Sequence, residues 1–199
     1  KGQKGPDTPK LVRMRPPELC KGCGHRDLYY ALNEVMSEIG DRQVFSDIGC
    51  YTLGALPPYN AINTCVDMGA SITMAKGAAD AGIFPAVSVI GDSTFTHSGI
   101  TGLLDAVNEK SPITVIISDN STTAMTGGQD SPGTGRLEKI CEGIGVDKEH
   151  IRIIEPLKKN HQALVDIMKA EFNFKGVSVI IAQRECIQTL AKKKKNTKK

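Results

Sequence analysis

Two apolar runs, 86–90 (Ala-Val-Ser-Val-Ile) and 113–117 (Ile-Thr-Val-Ile-Ile), do most to limit what this chain can fold into. Each is hydrophobic almost throughout, and each ends in a turn carrying an acid: Gly91-Asp92-Ser93 after the first, Ser118-Asp119-Asn120 after the second. A strand with one wet face alternates apolar and polar residues, whereas a run apolar on both faces belongs in a parallel sheet covered by helices on each side. The segments around them fit that scheme. Leu28, Ala31, Leu32, Val35 and Ile39 recur at helical spacing over 26–38, and further helices are predicted at 69–81, 99–107, 137–142 and 162–172. Strands are predicted at 43–46, 151–154 and 177–181, while residues 51–64, interrupted by Pro57 and Pro58, read as loop. The reading is an α/β domain with a mostly parallel sheet flanked by helices, without internal repeats.

With 199 residues, 40% of them hydrophobic, the chain is long enough to bury a core without disulfides, which excludes global disorder. Twenty glycines against 5% aromatic residues favour close backbone approaches over aromatic recognition platforms. Three parts are expected: an extended lead-in or linker at 1–17, rich in Pro and basic residues; the domain itself at 18–191; and a basic tail or linker at 192–199, which holds six Lys. The net charge of +3 resides in the two ends, since residues 22–191 carry a net of −7. An acidic body argues against a nucleic-acid-binding face, which would spread Lys and Arg over the fold. The amino end lacks the pattern of a secretory signal, no run spans a bilayer, and a cytoplasmic location is expected. The opening residues suggest an excised domain.

In parallel sheets ligands gather beyond the carboxyl ends of the strands, where Asp92 and Asn120 both fall. Asp92 offers a hard carboxylate oxygen, Asn120 a neutral carbonyl oxygen, and the following loop a main-chain oxygen, that of Thr122. These suit octahedral magnesium completed by two diphosphate oxygens and a water. The plainer alternative, an Asp capping a helix and an Asn in a turn, has equal standing on chemistry alone.

Gly91-Asp92-Ser93 followed 25 residues later by Asp119-Asn120 resembles the thiamine-diphosphate motif Gly-Asp-Gly…Asn-Asn, with Ser93 and Asp119 as departures that leave both inferred ligands in place. The stretches SDIGCYTLGALPP, MGASITMAKG, GDSTFTHSG and DNSTTAMTGGQ extend the resemblance over 16–186 to the thiamine-diphosphate-binding domain of indolepyruvate:ferredoxin oxidoreductase alpha subunits, within the 2-oxoacid:ferredoxin oxidoreductases. The resemblance implies thiamine diphosphate and Mg2+ as cofactors. It also implies oxidative decarboxylation of an arylpyruvate, electrons passing through iron–sulfur centres to ferredoxin and the acyl group to coenzyme A. Pyruvate or another 2-oxoacid as substrate, and a noncatalytic assembly module, are the alternatives. By the same analogy Gly49, Cys50 and Thr52 lie near the cofactor, and Gly127, Gly128 and Gln129 shape another side of the pocket. His97, with a side chain that titrates near neutrality and a place after the glycine-rich strand exit, is a proton-transfer candidate, the alternative being a hydrogen bond to loop backbone. His25 merely flanks a cysteine turn, and His150 and His161 read as structural or exposed.

Cys20-x2-Cys23 puts two thiols on one tight turn, suited to zinc, to an iron–sulfur centre or to a redox pair. With Cys50 and Cys186 it resembles the four ligands of the [4Fe-4S] cluster near thiamine diphosphate in pyruvate:ferredoxin relatives. Cys65 and Cys141 read as small packed hydrophobes. The resemblance covers only a diphosphate-binding domain. It therefore implies partners: a pyrimidine-binding domain or chain that brings the activating acid, a beta-type subunit, a ferredoxin-like electron-transfer module and ferredoxin.

Overall fold

The computed structural model describes residues 9, 11, 16–40 and 43–196. The lead-in expected at 1–17 therefore lies mostly outside the described residues. After the cysteine turn the chain forms α1 (Gly24–Ile39), β1 (Val44–Ser46), β2 (Thr64–Cys65), α2 (Ala70–Asp80) and β3 (Ala86–Gly91). It continues through α3 (Asp92–Thr94), α4 (Ile100–Asn108), β4 (Ile113–Asp119), β5 (Thr122–Thr123) and β6 (Gln129–Asp130). It ends with α5 (Leu137–Ile144), β7 (Ile151–Ile154), α6 (His161–Phe172), β8 (Ser178–Gln183) and α7 (Ile187–Asn196).

The main sheet has the order β2-β1-β3-β4-β8-β7, every pair parallel, and β5 and β6 form a separate antiparallel pair. Period-two alternation sends side chains into two cores. Val87 and Val89 of β3, Ile116 of β4 and Ile180 of β8 meet α1 and α6 on one face. Ile90, Ile113, Val115, Ile117, Val179 and Ile181 meet α2, α4 and α5 on the other. Both faces are thus covered, which is why these strands carry so few polar positions.

The loop reading of 51–64 needs refining. Cys50–Ala55 forms a 3-10 turn packed on α1, and Thr64–Cys65 adds a short edge strand to β1. The helix expected at 99–107 starts directly at Asp92 and runs to Asn108 through a π turn at Phe95–Gly99. Its first two turns, Asp-Ser-Thr-Phe-Thr-His-Ser-Gly, carry no apolar periodicity because only Phe95 reaches the core as a large side chain. The boundary expected at 191 falls inside α7, which carries the basic run to Asn196 on an exposed helix. Among the described residues no helix is long and apolar enough to cross a membrane.

Candidate functional site

The register of β3 and β4 sets Gly91 opposite Ser118, so both acid-bearing turns leave the sheet at one edge. There they meet the turn at 48–51 and the β4–β5 loop around a cavity of about 170 Å3. Gly49, Cys50, Gly91, Asp92, Ser93, Asn120 and Thr122 all line it. Glycine at 49 and 91 has a plain steric reason: an added Cβ would lie 2.3 and 2.5 Å from the ring of Tyr51. That ring packs across both positions, and its hydroxyl donates to Asp47.

Asp92 is 2% exposed, and its Oδ2 is buried without a hydrogen-bond partner. Burial, with the nearby charge of Asp119, pushes its pKa up to about 6. Ser131 faces the carboxyl closely enough to oppose that rise, yet its own Oγ is also buried and makes no hydrogen bond of good geometry. Asp119, by contrast, is tied off, accepting from Ser121 N at 2.8 Å and Gln183 Nε2 at 2.7 Å. The acid that replaces the motif's first Asn is a local brace, and Asp92 keeps the free oxygen.

Asn120 accepts from Thr122 N at 3.1 Å through Oδ1, and its Nδ2 lies 3.5 Å from His25 Nε2. His25 is buried, and its Nδ1 is 2.6 Å from Ser118 Oγ. Burial depresses its pKa to about 4, so the ring is neutral, accepting at Nε2 and donating from Nδ1. Asp47 forms a second buried centre, with Oδ2 accepting from Gly69 N at 3.0 Å, Ser71 N at 3.3 Å and Ser71 Oγ at 2.7 Å. Sequence reasoning missed His25 and Asp47 as site-building residues. Asp47 lies within the SDIGCY stretch, so its signal was present but assigned to its neighbours, whereas His25, directly after Cys23-Gly24, carries no local mark of its role.

Behind this cavity lies a second, of about 370 Å3, lined by Cys20, Cys23, Cys50 and Cys186. Cys50, Ser118, Asn120, Ala124 and Met125 line both and form the wall between them. Cys20 is exposed and the other three thiols half-buried. Burial raises the Cys23 thiol, with the negative charges of Cys20 and Cys186 adding to the effect and Arg184 opposing it. Burial and the same neighbours push Cys50 up to about 11. These thiols resist ionising together unless a cation neutralises them. Among the described residues, no three His, Cys, Asp or Glu side chains are close enough together to hold a metal ion. Cys141 is buried in the core, where its thiol rises to about 12. Cys65 is exposed, with its Sγ 3.6 Å from Asp47 O.

Other predicted residues sit elsewhere. Gly127 and Gly128 line the thiol cavity, not the one holding Asp92. Thr52, His97 and Gln129 line neither. Thr52 Oγ1 accepts from Gly49 N at 2.9 Å and donates to Asp47 O, bracing the turn. Gln129 bonds within its own loop to Thr126. His97 is exposed on the outer side of the π turn, whose Phe95 and Gly99 face the core, and its Nδ1 lies 3.0 Å from Ser98 Oγ.

The donor set of the first cavity fits a magnesium-bound diphosphate. Asp92 presents a buried carboxylate oxygen with no other partner, Asn120 a neutral carbonyl oxygen, and Thr122 is buried beside them. The chain is also similar to known proteins. A family model described as thiamine pyrophosphate enzyme, C-terminal TPP binding domain, matches residues 47–182. Indolepyruvate oxidoreductase subunit IorA of Archaeoglobus fulgidus is 40% identical over 86% of this chain and 29% of its own length. The same subunit of Methanothermobacter thermautotrophicus strain Delta H is 39% identical over 92% of this chain and 31% of its own length. This chain thus spans under a third of those two relatives. Among solved structures, 2-oxoglutarate:ferredoxin oxidoreductase from Magnetococcus marinus, with 2-oxoglutarate, coenzyme A and succinyl-CoA bound, superposes with a TM-score of 0.70 at 17% identity. The match covers 87% of this chain and 66% of that one, a likeness of fold.

Proposed function

The chain belongs to the thiamine pyrophosphate enzymes as a C-terminal TPP-binding domain, and from that premise we propose that it is the diphosphate-binding catalytic component of an oxidoreductase acting on arylpyruvates, indolepyruvate foremost. The net reaction takes a 2-oxoacid and coenzyme A to the acyl-CoA, CO2, a proton and two electrons, the electrons leaving to ferredoxin. The observation that carries the reading is the shared wall: a cavity with a buried, unpartnered acid oxygen backs directly onto one lined by four thiols. Support for the substrate class comes from the indolepyruvate oxidoreductase subunits that are 40% and 39% identical to this chain.

In this reading Asp92, Asn120 and the main-chain carbonyl of Thr122 would hold Mg2+, which would supply the charge that binds the cofactor's diphosphate. Thiamine diphosphate supplies, when bound, a nucleophilic carbon and an electron sink for decarboxylation. The chain's own residues provide position and field. Burial raises the Asp92 carboxyl toward its neutral form, and a divalent cation held at its free oxygen would favour the charged form. His25, neutral and fixed by Ser118, holds the Asn120 carboxamide with Nδ2 toward the ring and Oδ1 away from it. Tyr51 and Asp47 fix the turn that carries Gly49 and Cys50. By resemblance Cys20, Cys23, Cys50 and Cys186 would be the ligands of a [4Fe-4S] cluster on the far side of the wall, although among the described residues no three of them stand close enough to hold a metal ion, and Cys50 lines both cavities. His97, exposed and outside both cavities, is proposed only as a second-rank proton-transfer residue. A pyrimidine-binding domain, with its activating acid, and a beta-type subunit complete the enzyme.

The test is turnover by the complete complex, kept anaerobic, on a panel of 2-oxoacids with coenzyme A and a viologen acceptor. Indolepyruvate and phenylpyruvate are expected to give the highest kcat/KM. A preference for pyruvate or 2-oxoglutarate would overturn the substrate class while leaving the cofactor chemistry intact.

A further inference from the structure

A third cavity, of about 480 Å3, opens between the leading turn of α1 and the connection from β7 to α6. It shares Cys23 and Arg184 with the thiol cavity and no lining residue with the cavity that holds Asp92. A smaller hollow of about 270 Å3 continues it, sharing Asp27, Tyr30 and Lys158 and adding His161. Four cations, Arg26, Lys158, Lys159 and Arg184, line the larger hollow against one acid, Asp27, and Arg184 already pairs with that acid at 2.9 Å. His161 is taken up by Glu34 at 2.7 Å. Lys158 and Lys159 are exposed and form no ion pair among the described residues. Arg26 lies beside the hydroxyls of Tyr59 and Tyr30 instead of a carboxylate. The body of the domain is acidic overall, so three uncompensated cations around one hollow reverse the local sign. Like charges gathered in this way repel one another and add nothing to folding, whereas an anion in the hollow removes the repulsion.

Tyr30 narrows the class of anion. It lines both hollows, yet it is 47% exposed. Its ring is braced from behind by Tyr59, with centroids 5.4 Å apart, and Tyr59 leans in turn on the buried Tyr29 at 5.9 Å. A ring held at the surface in this way offers a flat platform that is already ordered before a ligand arrives. We propose that the trough is a binding site for a nucleoside diphosphate, its base resting on Tyr30 and its diphosphate held by Arg26, Lys158 and Lys159. The planar fork of Arg26 suits two phosphate oxygens, and the lysines supply point charges from the other wall. The thiol cavity stands between the trough and the cavity with Asp92, so the nucleotide is a ligand distinct from the reactants, and its binding makes and breaks no bond. The site does not depend on the catalytic reading, which gives Arg26, Tyr30, Lys158 and Lys159 no part.

The experiment titrates ADP and inorganic pyrophosphate calorimetrically into the complete complex, with saturating thiamine diphosphate and Mg2+ present throughout. The arms are wild type, Lys158→Glu/Lys159→Glu, Tyr30→Ala, and a control with the same charge change on the opposite face of the sheet, Lys110→Glu/Lys139→Glu. All substituted residues are exposed, and circular dichroism confirms folding. The proposal expects saturable binding of ADP to wild type and to the control, weakened about tenfold in the Lys158/Lys159 variant. Tyr30→Ala is expected to weaken ADP by about tenfold as well while leaving pyrophosphate as in wild type, because only the base meets the ring. Absence of ADP binding in wild type, equal losses in the two lysine variants, or ADP binding indifferent to Tyr30→Ala overturns it. Coenzyme A also carries a diphosphate-linked base and serves as competitor. ADP that stays bound at saturating coenzyme A supports a separate nucleotide site, and ADP displaced by it overturns that assignment and makes the trough part of substrate binding. Viologen-linked 2-oxoacid turnover without ADP keeps the two readings apart: wild-type turnover in a complex that binds no ADP sinks the nucleotide site alone.

Discussion

At the scale of single residues, two buried titratable groups hold the site and respond to pH in opposite directions. The Asp92 carboxyl ionises near 3.8 when unfolded and near 6 when folded, chiefly because it is buried. Between those values the folded chain binds the extra proton, so this group's contribution to stability falls as pH rises. Asp92→Asn removes that loss. In urea unfolding without cofactor, the variant is expected to gain about 2 kcal/mol on wild type between pH 4 and pH 8. A pH-independent difference would contradict it. His25 works the other way, its folded pKa lying near 4 against 6.5 unfolded. Its contribution is present above 6.5 and lost as pH falls toward 4. His25→Gln is therefore expected to flatten the acid limb of the wild-type stability profile by about 3 kcal/mol. The two slopes offset each other between pH 4 and 6, so only the variants expose them. Asp92 was legible from its turn, whereas His25 was not. Nothing in a sequence reveals that a His beside a cysteine turn reaches across to Ser118, 93 positions away.

At the scale of elements, the π turn at Phe95–Gly99 and the start of α2 lock together at Gly69. Gly69 has φ +93°, donates to Asp47, and a Cβ there would lie 2.4 Å from Ser98 Oγ and 2.9 Å from the Ser98 carbonyl carbon. Left-handed strain and a backbone clash act together at this position. Gly69→Ala is expected to cost about 2–4 kcal/mol in thermal or urea unfolding and to weaken cofactor binding by loosening Asp47. A cost below 1 kcal/mol would mean that the two elements slide apart freely. Apolar runs placed β3, β4, β8 and α1 with small boundary errors because packing on both faces dictates those residues. The helix from Asp92 stayed hidden up to residue 99 because its first two turns follow the site's chemistry and not a hydrophobic stripe. The β5–β6 pair and the two-residue β2 are set by tertiary contacts, which leave no local pattern to read.

For the whole molecule, the sequence spacing of Cys20, Cys23, Cys50 and Cys186 fixes nothing until the parallel sheet folds. The fold then brings the leading turn, the β1 exit and the β8 exit to one cavity. If the proposed cluster forms, anaerobic reconstitution with iron and sulfide gives a broad absorption band near the visible blue; a protein that takes up no iron contradicts that part of the proposal. A Cys50→Ser variant should lower iron content, while Cys141→Ser, in the core, should leave iron unchanged and cost stability. Strand order also lay beyond sequence reach, since β8 inserts between β4 and β7 although it follows both in the chain. The central claim is that a buried acid and a neighbouring carboxamide hold a magnesium-bound diphosphate at the strand ends. Titration calorimetry with thiamine diphosphate on the complete complex, with and without Mg2+, in wild type and Asp92→Ala, tests it most directly. The account predicts binding that requires Mg2+ in wild type and is lost in the variant. Equal binding by the two proteins, or binding indifferent to Mg2+, would contradict it.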